Sequence, residues 1–141
     1  MLEIDVLLTC EKKPPISNPS KAEMRKALEA LRSFGPSSFA TLTREDGSFV
    51  QVGGGLVTCM LEWKDTATAR HYRANQETPS TPFPDGSILS FGGGDIPLLN
   101  NEWFNIQQVI PIFEAFLDVR SFPANVKWRD ITALFGEGQA R

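Results

Sequence analysis

The sequence predicts an α+β domain: a mostly antiparallel sheet of about five to seven strands with two main helices packed on it. Three observations lead there. Between residues 37 and 76, apolar and polar residues alternate in successive short runs separated by turn signals, the pattern of consecutive strands. A capped amphipathic helix precedes that run, and a second, phenylalanine-rich helix follows it. Grouped strands with flanking helices favour an antiparallel sheet over the strict alternation of a doubly wound fold.

The first strand is read from Leu2, Ile4 and Val6 alternating with Glu3 and Asp5. CEKKPPISNP follows, too polar and proline-rich to continue it. SKAEMRKALEALRSFGP then predicts the clearest helix, with Ser20 and Glu23 at capping-box spacing. Met24, Ala27, Leu28, Leu31 and Phe34 fall on its apolar face, and Lys21, Arg25, Lys26, Glu29 and Arg32 on the solvated one. Gly35 and Pro36 are the stop signal. Phe39, Thr41 and Thr43 alternate with Ala40 and Leu42, EDGS supplies a tight turn, and FVQV returns as the partner strand. LVTCMLEWK gives a third consecutive strand and TARHYRAN a fourth. QETPSTPFPDG is a loop, SILSFGG a short strand and NEWFNIQQVI another. Pro111 suits the first turn of a second helix, with Ile112, Phe113, Phe116, Leu117 and Phe122 on its apolar side and Pro123 at its end. ANVKWRDI is a last short strand carrying Trp128, and the tail GEGQAR is expected to fray.

At 141 residues, the chain is of single-domain size and large enough for a real core. No internal repeat or interior boundary breaks it, so residues 1–141 read as one domain. Two cysteines, Cys10 and Cys59, make no disulfide framework and fit small buried apolar groups. A net charge of −3 disfavours sequence-independent binding of nucleic acid, which rests on clustered Lys and Arg. No apolar run approaches the ~20 residues of a membrane span. The N-terminus carries acids where a signal peptide wants bases, so a cytoplasmic location without membrane partners is expected.

No strong catalytic constellation stands out. The triplet Gly53–Gly55 is followed by Leu56, Val57 and Thr58 rather than by lysine, a hydroxyl and a helix, so it fails as a phosphate loop. The second triplet, residues 92–94, precedes Asp95, which repels an anion. Glycines in strand patterns mark bends or close backbone approaches instead. His71 is the one histidine, and with Cys59 and Asp65 or Asp85 it would complete a cysteine-nucleophile triad. Cys59 lies among Leu56, Val57, Met60 and Leu61, a setting that favours an inert thiol. No Cys/His pair has metal-ligand spacing, and no cofactor motif is present.

The order of several features is more telling than any one of them. TLTREDGSFVQVGG over residues 41–54, the pair Glu62–Trp63, Phe116 with Leu117 in a helix entered through Val-Ile-Pro, and Val126-x-Trp128 follow one another. This series resembles the first-numbered family of immunity proteins from bacterial polymorphic toxin systems, over roughly residues 37–130. The resemblance implies a single immunity-protein-like domain over residues 1–141. Its partner would be a cognate toxin domain encoded by a neighbouring gene, often a nucleic-acid deaminase. It further implies a stoichiometric inhibitor rather than an enzyme, needing no cofactor and no direct contact with nucleic acid. The matching positions look structural, so contact residues are chosen on chemistry: Glu62, Trp63, Asp85, Asp95, Glu102 and Trp103, acids and aromatics expected on loops, with Trp63 and Trp103 each also readable as a core residue. The alternative is a small-ligand-binding or enzymatic α+β domain, with a cleft near the glycine triplets and His71 or Glu62 as polar groups.

Overall fold

A computed structural model describes residues 5–79 and 82–135. Its centre is a seven-stranded, wholly antiparallel sheet in the order β2-β1-β3-β4-β5-β6-β9. The strands are β1 (Val6–Cys10), β2 (Ile16–Ser17), β3 (Phe39–Arg44), β4 (Phe49–Gly55), β5 (Thr58–Asp65), β6 (Arg70–Gln76) and β9 (Val126–Asp130). Two more, β7 (Ser87–Phe91) and β8 (Gly94–Leu98), form a separate hairpin. Helices α1 (Lys21–Glu29) and α2 (Ile106–Leu117) complete the α+β architecture that the pattern predicts. The expected start of the first strand at residues 2–4, the tail at 136–141, and residues 80 and 81 of the long loop lie outside the described residues.

Period two sets the division of the sheet. Leu8, Ala40, Leu42, Val50, Val52, Leu61 and Ala74 point to one face and are fully or almost fully buried. Against them pack Met24 and Leu28 of α1 and Val109, Ile110, Phe113 and Phe116 of α2, which makes the main core. The capping box at Ser20 is present, with Ser20 Oγ accepting from the Glu23 N–H at 3.0 Å and Glu23 Oε1 from the Ser20 N–H at 2.9 Å.

Three local assignments differ from the expectation. First, α1 ends at Glu29, well before Gly35, because a competing set of bonds claims its end. The Arg32 guanidinium donates to the carbonyls of Glu29 and Leu31, and the Arg32 N–H donates to the Ser37 carbonyl. Phe34 is thereby taken off the helix face and left 86% exposed. Second, the segment expected as a strand at 101–110 forms a 3₁₀ turn, Asn100–Glu102, and the first turns of α2. Asn105 and Gln108 form a capping box there, so the helix begins five residues before Pro111. Pro111 stands on the exposed side inside the helix, where it costs one backbone bond and crowds the carbonyl of the preceding turn. Third, Gly94–Leu98 is a strand that was not expected; its Pro97 is tolerated because it lies in a two-stranded hairpin.

The first glycine triplet forms the last three residues of β4, and the turn to β5 is Leu56-Val57, with Leu56 at φ 55°. Each of these glycines faces a close neighbour. A side chain at Gly53 would meet the Phe91 ring at 2.6 Å, one at Gly54 the Thr58 carbonyl, and one at Gly55 the Leu31 carbonyl. The triplet is where the hairpin, the β4–β5 turn and the end of α1 are drawn together.

Candidate functional site

On the sheet's other face the alternation brings outward Met60 and Glu62 of β5, His71 and Arg73 of β6, and Arg129 of β9. The β7–β8 hairpin lies over part of this face and seals a second core of Met60, Leu89, Ile96, Leu98 and Trp103. The polar residues beside that core form a chain of charges. Glu62 is fully buried and directly opposite Arg73 in the strand register. Its Oε2 accepts from Arg73 Nε at 3.0 Å and Nη2 at 2.9 Å, and its Oε1 lies 3.1 Å from His71 Nε2. With Glu62 ionised, that contact places the imidazole proton on Nε2.

Arg73 is also directly opposite Arg129, a like-charge pair that destabilises a sheet when left alone. Glu102, delivered by the 3₁₀ turn and fully buried, resolves the conflict. Arg129 donates to it through Nε at 2.8 Å and Nη2 at 3.2 Å, Arg73 Nη1 lies 3.8 Å away, and the Leu99 N–H donates to Oε1 at 2.9 Å. Every carboxylate oxygen of Glu62 and Glu102 thus already accepts from a named donor. Phe135 stacks on His71 with ring centres 4.2 Å apart, and Phe49 meets it edge-on at 5.9 Å. The chain of charges locks β5, β6, β9 and the cover together.

Beside it a cleft of about 410 Å³ opens between β8 and the sheet, lined by Arg73, Arg129, Asp95 and Leu134 and by Gly93 and Gly94, so a cleft of the kind expected near the glycine triplets is present at the second of them. At the first glycine triplet no comparable space exists, because Phe91, Thr58 and Leu31 occupy it.

The six residues chosen from the sequence are divided by the fold. Glu62 and Glu102 are internal members of the charge chain, not loop acids. Trp103 is 3% exposed, stacked edge-on by Phe83 at 4.7 Å, and its carbonyl accepts from Gln76 Nε2 at 2.7 Å. Trp63 is half-buried on the helix side, with Tyr72, Phe122 and Trp128 at ring-centre distances of 4.9, 5.0 and 5.4 Å. The expectation that Glu62 and Glu102 stand on loops is therefore corrected, and of the two readings of Trp63 and Trp103 the structure favours packing against the cores over a loop position. Asp85 and Asp95 are exposed, and among the described residues neither is in an ion pair. Asp85 Oδ1 accepts from the Asn100 N–H at 2.7 Å. The sequence reading did not single out Arg73, Arg129 or Phe34. For Arg73 the signal was available, since polar 71 and 73 alternating with Tyr72 and Ala74 mark one face of a strand.

Cys59 and His71 lie on opposite faces of the sheet, which removes the triad. Burial pushes the Cys59 thiol up to about 12. At neutral pH only about one molecule in 10⁵ would carry the thiolate there. Native protein is therefore expected to leave Cys59 unlabelled by a thiol reagent such as dithionitrobenzoate until it is denatured. Rapid stoichiometric labelling of Cys59 in the native state, located by mass spectrometry, would contradict its placement. Among the described residues no group of three or more His, Cys, Asp and Glu could hold a metal ion, and no helix is long and apolar enough to cross a membrane. No family model, curated protein or solved structure matches the chain.

Proposed function

We propose that this chain is a cytoplasmic immunity protein that binds a cognate bacterial toxin domain and neutralises it by stoichiometric inhibition, without catalysis of its own. The toxin is proposed to act on nucleic acid, as a deaminase does. The observation that carries this is the ordered motif series, which falls on one continuous framework. Residues 41–54 span the β3–β4 hairpin, Glu62 and Trp63 lie on β5, Phe116 and Leu117 in α2, and Val126 and Trp128 on β9. Two of its aromatics, Trp63 and Trp128, meet across the sheet with Phe122 from beyond α2. The series thus describes a scaffold, and the partner-specific chemistry belongs to the surface around it.

Support of a second kind comes from charge. A toxin cleft that grips nucleic acid is basic, and exposed carboxylates without cations of their own complement it. Among the described residues Asp85 and Asp95 are such carboxylates. The test is to titrate the purified chain with the toxin domain of the adjacent gene. A one-to-one complex with loss of toxin activity is expected, and no complex would end the proposal. The double change Asp85→Lys with Asp95→Lys is expected to slow association about tenfold at low salt, with a weaker effect at high salt. An unchanged association rate would remove the electrostatic part.

A further inference from the structure

We infer that Phe34 is the apolar anchor of the surface by which this chain grips its partner protein, a surface running from the 33–36 loop across the outward face of the β7–β8 hairpin. This rests on the proposed function in taking the cognate toxin domain as that partner. The starting observation is the exposure of a phenylalanine: at 86%, Phe34 is the most exposed of the large hydrophobic residues among those described. Scattered apolar side chains at a surface need no explanation, but this one is displayed by a rigid device.

The Gly35 N–H donates to the Arg32 carbonyl at 2.9 Å, and the Arg32 N–H to the Ser37 carbonyl at 3.0 Å. The Arg32 side chain ties the same loop to the end of α1 through two carbonyls, at 2.9 and 2.7 Å. Gly55 brings the β4–β5 turn against the Leu31 and Arg32 backbone from behind. The ring therefore stands on a backbone that is already fixed, and binding has less chain entropy to remove.

A groove of about 330 Å³ separates Phe34 from the hairpin tip, with Lys12, Ser90 and Gly92 among its lining residues. Its walls are fixed as well. The Gly92 N–H donates to Ser38 Oγ at 2.7 Å, and Ser38 donates to Glu11 Oε1 through its hydroxyl at 2.6 Å and its N–H at 2.9 Å. Ser90 pairs with Asp95 across the hairpin, and Ile88 with Pro97, so these four form the hairpin's outward face. All four are exposed, Ile88 by 56%. The surface is then an aromatic anchor, a groove, an apolar strip, and an acid with no ion pair among the described residues.

The occupant that fits is a protein with an apolar pocket for Phe34 and a basic side chain that reaches Asp95. An anionic bilayer is disfavoured because Asp95 would face it and be repelled. A small ligand would leave Phe34 in water. A second copy of the chain would have to show as a dimer.

The experiment measures the affinity of the toxin domain for the wild type, Phe34→Ala, Ile88→Asp and Val119→Asp, alongside the mass of each free protein by light scattering. Val119 is 54% exposed but lines a different groove, beside Arg44, Glu45 and Asp46, so it serves as the control. Phe34→Ala is expected to weaken the complex at least about thirtyfold, Ile88→Asp at least about tenfold, and Val119→Asp less than about threefold. Melting curves should be alike for wild type and Phe34→Ala, since the ring packs on little. A tight wild-type complex that Phe34→Ala leaves unchanged overturns the anchor alone and spares the proposed function. Absence of a wild-type complex overturns both. A wild-type dimer that Phe34→Ala converts to monomer replaces the toxin by a second copy and overturns the inference as stated.

Discussion

Replacing Glu62 with alanine is expected to lower the free energy of unfolding by about 3–5 kcal/mol, the range for breaking a buried ion pair by removing one partner. Arg73 is 3% exposed, and it donates to Glu62 through two nitrogens. Without that carboxylate its nearest counter-charge is Glu102, 3.8 Å away and already held by Arg129 in a two-point contact. A guanidinium cannot lose its proton to escape, so the charge remains desolvated. His71 loses the acceptor for its Nε2 proton at the same time. The effect should reach the hairpin cover, because Arg73 Nη1 also approaches the Pro97 carbonyl at 3.5 Å.

The matching control is the pair Glu62→Leu with Arg73→Met, which removes both charges and keeps apolar volume. Its cost should stay within about 2 kcal/mol, since a buried ion pair often breaks even against hydrophobic residues of similar size. Urea unfolding of the three proteins provides the comparison. If Glu62→Ala cost less than about 1 kcal/mol, the charge chain would be a bystander rather than the lock between sheet and cover. Such a result would also weaken the view that the hairpin's outward face is rigid enough to serve for docking.

Local patterns revealed the scaffold because each strand and helix carries its own signal. The alternation in residues 39–52 and the capping box at Ser20 depend on neighbours in sequence, and both are present. What escaped was decided by distant partners. Phe34 has the spacing of a helix-face residue, but Arg32 and Ser37 close a loop that ends the helix first. Glu62 and Glu102 read as solvated acids because nothing in their own segments announces Arg73 and Arg129, which reach them from two other strands. Trp103 has the composition of an interface anchor and becomes core only when the β7–β8 hairpin folds over the sheet. Asp85 and Asp95 kept their expected exposure, since one precedes a turn glycine and the other faces outward from a short hairpin. Candidate sites chosen by residue type thus depend on tertiary pairing, whereas strands and helices largely do not.

Gly54→Ala should be among the most damaging single changes in the chain, costing at least about 3 kcal/mol. Two separable effects act there. The backbone sits at φ +91°, a region where a Cβ costs about 1–2 kcal/mol through its own carbonyl. In addition, the new Cβ would lie inside the contact distance of the Thr58 carbonyl, a backbone atom held in the β4–β5 ladder by the Gly55–Thr58 pairing. A flexible side chain could swing aside, but a paired strand cannot. Relief would have to come from shifting the turn, which moves Leu56 and with it the Ile106 N–H that donates to the Leu56 carbonyl at 2.6 Å. Gly86 separates the two effects, for it has φ +90° and open space where its Cβ would stand. Gly86→Ala should therefore cost only the conformational part, about 1–2 kcal/mol. A gap of about 1–2 kcal/mol or more between the two variants in urea unfolding would assign the difference to the close approach at Gly54. Equal costs would mean that the triplet serves its turn geometry alone, and that the seam between sheet, helix end and hairpin is looser than its packing implies.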